Sequence, residues 1–182
     1  MSYLYNGVDQ QPVLGGESQR LSRLGDRFAM AVVLRKMKYR DAMRWLRARI
    51  QAFTDTVVYP VYQKGFSPGR PGTPLVNGGS QSGTSLVCDG FRANYKGFDG
   101  QYFSIIISGK RYLHMLTADF IASSGGAATI SFLPMLRATP ADNAVLEFAQ
   151  PKIEGFVQGN QADWEPERTR LEGLSFTIVE SA

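Results

Sequence analysis

Histidine and cysteine are the side chains that most often carry acid-base or nucleophilic chemistry, and this chain has one of each. His114 would need a nucleophile and an orienting carboxylate nearby to act as a catalytic base. The nearest approach to a nucleophile elbow is 79–83, where Gln81 stands at the serine position of G-x-S-x-G. Cys88 lies in a predicted strand, the usual setting of a small buried hydrophobe. We therefore predict that both side chains pack inside strands and that the chain is not an enzyme.

Paired carboxylates are another common source of catalysis, as in glycoside hydrolysis. Glu147 and Glu154 fall on neighbouring predicted strands, and Glu165 and Glu167 fall on a polar linker. No aromatic groove pattern surrounds either pair, so we interpret them as solvated surface charges. Gly109-Lys110 lacks the glycine spacing and the following Ser or Thr of a phosphate loop. Without a ligand-spaced cluster, the sequence predicts no catalytic residue, no cofactor and no metal site.

Charge is distributed unevenly along the chain. Residues 1–70 carry twelve basic and five acidic residues, whereas residues 71–182 carry eight basic and eleven acidic ones. Several of the basic residues lie on one predicted helix, where Arg40, Arg44 and Arg47 share a face. Such a face suits a nucleic-acid surface, a solvated amphipathic helix, or an interface with the acidic half of a neighbouring copy. We favour the interface over nucleic acid, because the same chain supplies the opposite charge.

The elements that position this helix are predicted from residue periodicity. Residues 18–37 alternate polar and apolar positions and predict a long hairpin that turns at Gly25-Asp26. Residues 38–54 change to a helical period, and residues 56–62 predict a strand, so the helix is expected to pack across a sheet. The stripe predicted to face the core consists of Tyr39, Met43, Leu46, Ile50 and Phe53.

Segment 64–85 has a different character, with six glycines and three prolines. A loop of this length inside a domain is usually functional or an interface arm. We predict that it reaches a neighbouring subunit, so the predicted interface includes Arg70, Pro71, Pro74 and Asn77 as well as the three helix arginines.

Short strands separated by tight turns follow the arm. Their segments are 101–107, 111–116, 120–123 and 128–133, then 145–148 and 152–157 as a further pair, and finally 174–179. The predicted fold class is mainly β with one or two helices (α+β), in which a β-sandwich lobe with a packed helix carries an inserted small antiparallel β-barrel. The predicted domains are a ring-forming lobe of 1–63 plus 173–182, the arm 64–85, the barrel 86–158 and a polar return linker 159–172.

Composition restricts the compartment in which the chain is expected to act. No apolar run approaches the roughly 20 residues of a membrane span, and residues 1–16 lack the basic and apolar regions of a secretory signal. With a single cysteine, the chain is expected to be made in a reducing cytoplasm and to have no membrane partner.

Three segments carry a resemblance to a known family. They are Pro71-Gly72-Thr73-Pro74-Leu75-Val76-Asn77-Gly78 with Gln81-Ser82-Gly83-Thr84-Ser85-Leu86, then Gly100-Gln101-Tyr102-Phe103 through Tyr112-Leu113-His114 and Leu116-Thr117-Ala118-Asp119 to Pro134-Met135-Leu136-Arg137, and finally Trp164 before Gly173-Leu174-Ser175-Phe176-Thr177-Ile178-Val179-Glu180. With these segments the chain resembles the distal tail proteins, or minor tail proteins, of tailed siphophage-like bacteriophages. The resemblance covers most of the chain from about residue 18 onward.

The resemblance implies a structural virion protein of the phage tail tip, without enzymatic activity. It implies a homo-oligomeric ring, usually a hexamer, that joins the tail tube to the tip or baseplate and its fibres. The implied partners are therefore other copies of the chain, the tail tube protein, and baseplate hub or tail fibre proteins; nucleic acid is not expected. One alternative is a neck or tail-completion protein. Another is a carbohydrate-binding module that displays Phe91, Tyr95, Phe98, Tyr102 and Tyr112.

Overall fold

One helix and several antiparallel sheets make up the computed structural model, which describes residues 1–11, 13, 15–21, 23–162, 164–166, 170–172 and 174–181. In chain order the first elements are β1 (Ser2–Leu4), β2 (Val8–Gln10), β3 (Gln19–Leu21), β4 (Arg27–Val33), β5 (Met37–Lys38), α1 (Tyr39–Gln51) and β6 (Val57–Pro60). They are followed by β7 (Gly72–Val76), β8 (Ser85–Phe91), β9 (Lys96–Gly97), β10 (Tyr102–Ile107), β11 (Lys110–Leu116), β12 (Phe120–Ile121), β13 (Ala128–Leu133) and β14 (Leu146–Glu147). The last are β15 (Lys152–Val157), β16 (Glu165–Pro166), β17 (Arg170–Glu172) and β18 (Ser175–Glu180). The predicted fold class, mainly β, is confirmed.

Six strands form a nearly closed antiparallel barrel in the order β14-β10-β11-β13-β8-β7. Its central hairpin is β10 and β11, joined by Ser108 and Gly109, both of which have positive φ, as a two-residue turn matched to strand twist requires. Leu75 bridges Val145 and nearly closes the barrel. Its interior is filled by wholly buried side chains, namely Phe103, Phe132, Phe148, Leu86, Ile105, Leu116 and Ile130. Burying each of these contributes about 1.5–3 kcal/mol.

A five-stranded sheet with the order β1-β4-β18-β15-β6 packs against the barrel. Its core includes Phe28, Met30, Ile153 and Ile178, and Leu113 of the barrel joins the same cluster. Strands β6 and β15 are antiparallel neighbours, and the Val61 N–H donates to the Pro151 carbonyl at 2.8 Å. All strands from β7 to β14 lie in the chain between these two neighbours, so the barrel is an insertion into the five-stranded sheet.

The predicted pairing of 145–148 with 152–157 is wrong. Strand β14 pairs with β10 of the barrel, whereas β15 pairs with β18 and β6 of the other sheet. Between the two, Pro151 has no N–H to offer a barrel neighbour, and its carbonyl is already bound by Val61. The chain crosses here from one sheet to the other instead of turning back on itself.

The predicted hairpin over 18–37 is also wrong. Strand β3 pairs with β2, while β4 pairs with β1 and β18. The Asp26 carboxylate accepts hydrogen bonds from the Tyr3 hydroxyl at 2.8 Å and from the Asn6 N–H at 2.7 Å. The residue expected to reverse a hairpin therefore helps to hold β1 beside β4.

Two predicted connecting segments contain strands. The arm over 64–85 includes β7, which belongs to the barrel, and the linker over 159–172 includes β16 and β17, the latter pairing with β5. Glu167 and Gly173 lie outside the described residues.

Candidate interaction surface

Helix α1 is held to the body of the protein by a narrow face. Ala42, Leu46 and Arg49 are buried, and the first two pack in one cluster with Leu174 and, at its edge, Met37. Ala42 and Ala52 have side chains small enough to let the helix backbone approach the layer beneath it. The buried apolar contacts of the helix segment are therefore made by small alanines and one leucine.

The stripe predicted to face the core is wrong at every position except Leu46. The exposed fractions are 47% for Tyr39, 38% for Met43, 51% for Ile50 and 39% for Phe53. An exposed row of this kind is unusual for a lone surface helix, whose large apolar side chains normally face the core. Arrays of large exposed apolar side chains are typical of interaction sites.

Arg40, Arg44 and Arg47 lie beside this row and are exposed, as predicted for one helix face. None of the three pairs with a carboxylate in the described part of the chain. We call the exposed residues Tyr39, Arg40, Met43, Arg44, Arg47 and Ile50 the helix surface. It offers apolar area next to three cations, an arrangement suited to binding an apolar and acidic protein surface rather than to catalysis.

The acidic half of the chain is less available than its composition suggests. The Glu147 carboxylate forms ion pairs with Lys152 Nζ at 2.6 Å and with Arg111 Nε at 3.1 Å. Glu154 also pairs with Arg111. Burial acts to raise the pKa of Glu147, but Lys152, Ser104 and Arg111 outweigh it and hold the pKa below its ordinary value. Both glutamates therefore form ion pairs with Arg111 or Lys152 of the same chain. The prediction that they are solvated surface charges is wrong. Asp99, Asp119 and Asp142 remain exposed.

Within the described ranges, no three residues of the types His, Cys, Asp and Glu come together to hold a metal ion. The helix that the structure describes is not long and apolar enough to cross a membrane. No protein-family model and no curated protein matches the chain.

The residues predicted for the arm divide into two kinds. Arg70 and Asn77 are exposed, whereas Pro71 and Pro74 are buried inside the protomer. The Pro71 carbonyl accepts the Arg92 N–H at 2.8 Å, which fixes the entry of β7 into the barrel. Only Arg70 and Asn77 of this set are therefore free to contact another molecule at the surface.

His114 and Cys88 are buried in barrel strands, as predicted. The His114 ring lies between Phe103 and Phe132, and its Nδ1 donates to the Pro134 carbonyl at 2.9 Å, which leaves Nε2 without a partner among the described residues. Burial lowers the pKa of His114 to about 3 and raises that of the Cys88 thiol to about 12. Neither group has the exposure that catalysis or oxidation requires.

The aromatic residues considered for carbohydrate binding do not form an exposed row. Phe91, Tyr95 and Tyr112 are buried, Tyr102 is half-buried and Phe98 is exposed. Phe91 and Tyr95 stack on each other at 5.5 Å within the barrel core. A sugar platform needs exposed ring faces, so the structure gives this alternative no support.

Two polar residues that sequence reasoning missed hold the fold together. Glu180 is 1% exposed, and its carboxylate accepts the Leu113 N–H at 2.6 Å and the Phe28 N–H at 3.2 Å, linking barrel to sheet. Arg137 lies 2.5 Å from the same carboxylate as its ion-pair partner. Burial raises the pKa of Glu180, with Arg137 and the two amides opposing that shift.

Gln81, at the false nucleophile position, has a structural role of its own. Its amide nitrogen donates to the carbonyls of Asn77 at 2.9 Å, Gly78 at 3.0 Å and Val87 at 3.2 Å, and its Oε1 accepts the Val87 N–H at 2.7 Å. One side chain thus closes the loop between β7 and β8. The only sequence signal was a long polar side chain in a Gly/Ser loop, which is too common to be diagnostic.

We expect Gln81→Glu to lower the free energy of unfolding by about 1–3 kcal/mol, because a carboxylate cannot donate to three carbonyls. Denaturant unfolding measures this loss, and amide hydrogen exchange at Val87 should accelerate in Gln81→Ala. Ser82→Ala, at an exposed neighbour, is the control. Unchanged stability and unchanged Val87 exchange in both Gln81 variants would contradict the assignment.

Proposed function

We propose that the chain is a structural protein of a bacteriophage tail, most specifically a distal tail protein that forms a homo-oligomeric ring between the tail tube and the tip or baseplate with its fibres. In this proposal the protein acts in the virion, its partners are further copies of itself, the tube protein and hub or fibre proteins, and it catalyses no reaction. The observation that carries the proposal is the helix surface, an exposed apolar row beside three arginines that pair with no carboxylate of the described residues.

The physical argument is one of incomplete burial. A monomer gains nothing by exposing Tyr39, Met43 and Ile50, while a subunit contact removes them from water and contributes about 25 cal/mol per Å² of apolar area. The three cations on the same helix favour a partner with carboxylates and disfavour a second helix surface, because like charges would then face each other. A contact between two different patches is heterologous, and it closes into a ring when the rotation between subunits permits.

The inserted barrel is consistent with the same proposal. The five-stranded sheet and the helix would supply the ring contacts. The barrel, inserted between β6 and β15, would present its loops to fibres or other tip proteins. Exposed Arg70, in the connection between the two parts, and exposed Asn77, in the β7–β8 loop of the barrel, would contact a neighbouring subunit.

The ring is tested by mass. We expect purified protein at micromolar concentration, alone or with the tube protein, to form a closed oligomer by light scattering and native mass spectrometry. A strict monomer under both conditions would overturn the proposal.

The helix surface is tested by reversing its charge. We expect Arg40→Glu, Arg44→Glu and Arg47→Glu together to weaken subunit association about 100-fold, since each exposed pair contributes about 0–1 kcal/mol and reversal makes each repulsive. Circular dichroism should show the monomer still folded, because Ala42 and Leu46 are unchanged. Sedimentation velocity measures the association.

The matched control changes net charge equally on the barrel, at exposed positions, through Arg92→Glu, Lys96→Glu and Lys110→Glu. Equal weakening in both triple variants would point to overall charge rather than the helix surface. Binding of DNA by the wild type should be weak and lost with added salt. Normal assembly of the helix variant, with DNA retained by the wild type at physiological salt, would favour a nucleic-acid surface instead.

A further inference from the structure

A groove runs along the side of α1 that faces away from Arg40, Arg44 and Arg47. It lies between the helix and strands β6, β15 and β18, and it encloses about 490 Å³. Its walls are largely apolar and aromatic, formed by Trp45, Tyr59, Tyr62, Val157 and Phe176. We call it the α1–β6 groove. Apolar clefts of this size with a few polar groups are the usual form of a binding site.

Arg49 lines this groove and is 8% exposed. Its Nη2 donates to the Gln158 and Gln161 carbonyls at 3.3 and 3.1 Å, and its guanidinium carbon lies 4.4 Å from the centre of the Phe53 ring. Nε and Nη1 are shielded from solvent and have no hydrogen-bond partner in the part of the chain that the structure describes. Burial lowers the pKa of Arg49.

The second buried arginine shows what Arg49 lacks. Arg137 is compensated by the Glu180 carboxylate, whereas the partners of Arg49 among the described residues are carbonyl oxygens and the face of a ring. A buried cation without a counter-charge is costly, and a carboxylate that reaches it in a low-dielectric site forms a stronger bond than at the surface. An anionic group of a ligand would therefore supply the counter-charge for Arg49 and would be bound more tightly for it.

The backbone beside the groove indicates the kind of ligand. Strand β6 is the last strand of its sheet, and within the described residues no strand pairs with its outer edge. Pro60 has no N–H, so the donors at this edge come only from residues 57–59. Unpaired N–H and C=O groups at such an edge bind extended peptide by strand addition. This favours a peptide over a simple aliphatic acid.

We propose that the α1–β6 groove binds an extended segment of a partner protein in which a carboxylate stands next to a large apolar side chain. The apolar side chain packs among Trp45, Tyr59 and Phe176, and the carboxylate lies beside Arg49, to which it supplies a counter-charge. The proposal does not depend on ring formation, since the groove and the helix surface are on different sides of α1.

The test uses a matched pair of probes, acetyl-Leu-Phe with a free carboxylate and the same dipeptide as its C-terminal amide. Trp45 lies in the groove, so its fluorescence reports binding in a Trp164→Phe background. We expect the acid to bind at least about tenfold more tightly than the amide, as the attraction between a carboxylate and a cation in a low-dielectric site predicts. A simple aliphatic acid, octanoate, should bind more weakly than the peptide acid.

Two variants assign the preference to Arg49. Arg49→Met should abolish the difference between acid and amide, and Arg44→Met, on the other side of the helix, should keep it. If Arg49→Met does not fold, Arg49→Lys should retain a reduced preference. Equal affinity of acid and amide, or no change in Trp45 emission at about 10 mM of either probe, would overturn the proposal without touching the ring. Tighter binding of octanoate would assign the groove to a lipid-like acid instead.

Discussion

Glu180→Ala is expected to lower the free energy of unfolding by about 3–5 kcal/mol, the cost of removing one partner of a buried ion pair. The substitution leaves Arg137 buried without a counter-charge and removes the acceptor of the Leu113 and Phe28 amides. Because these amides belong to the barrel and to the five-stranded sheet, we also expect the two to unfold less cooperatively. Urea unfolding followed by tryptophan fluorescence and by circular dichroism measures both effects.

The controls separate the ion pair from the packing around it. Combining Glu180→Met with Arg137→Met should recover at least half of the loss, since neither charge then remains buried. Asp9→Ala, which breaks the exposed pair of Asp9 with Arg20, should cost less than about 1 kcal/mol. A Glu180→Ala variant as stable as Asp9→Ala would show that the Glu180 contacts do not stabilise the fold.

Stability is expected to fall in acid through His114, by about 2–3 kcal/mol between pH 7 and pH 4.5. In the folded protein the His114 imidazole has a pKa of about 3, because burial disfavours its charged form. The imidazole of an unfolded histidine binds a proton near pH 6.5. The unfolded state therefore takes up a proton first as the pH falls, and the stability is lost between about 6.5 and 3. Protonation would also place an N–H at Nε2, where the described residues offer no acceptor.

His114→Gln isolates this contribution, because its amide can still donate to the Pro134 carbonyl but does not titrate. We expect the variant to cost about 1–2 kcal/mol at pH 7 and to lose the acid-dependent slope of His114, so the two stability curves should approach each other and cross between pH 7 and pH 4.5. Subtracting the curves removes the titration of Glu180 and the other carboxylates, which both proteins share. Parallel curves from pH 7 to pH 4.5 would show that His114 is not the titrating group.

Strands β10, β11 and β13 of the barrel were predictable because each is coded locally, whereas β7 fell inside the predicted arm. The predicted segments 101–107 and 111–116 agree with β10 and β11 to within one residue, around a two-residue turn with positive φ, and segment 128–133 is predicted with its observed bounds. Partners that are distant in the chain were not predictable in the same way. Adjacent strands usually pair, and this expectation assigned β14 and β15 to each other although they belong to different sheets.

The helix was predicted but its orientation was not. Periodicity places the largest apolar side chains on the buried face, yet α1 is held by Ala42 and Leu46 and exposes Tyr39, Met43 and Ile50. Composition does not distinguish an apolar row that faces the core from one that faces a partner, since both have the same spacing.

The buried charges were missed for a related reason. Charged residues are almost always exposed unless paired, so Arg49, Arg137 and Glu180 were not assigned to the interior. Arg137 and Glu180 are far apart in the sequence, because Arg137 lies between β13 and β14 and Glu180 ends β18. Their pairing therefore depends on how the two sheets pack. The exposed positions of Arg40, Arg44 and Arg47, by contrast, followed directly from helix geometry.

The backbone hydrogen bond between the Val61 N–H and the Pro151 carbonyl holds together the two points at which the barrel is inserted, so the barrel can be replaced by another inserted domain. Its two ends are already held together, and the entropy of closing a connection grows slowly with length, by about 0.6 kcal/mol for each doubling. Longer modules, shorter ones or a tight turn are therefore compatible with the same five-stranded sheet. A replacement must still supply the two partners that the Glu180 carboxylate takes from the barrel, a backbone N–H in the place of Leu113 and a cation in the place of Arg137.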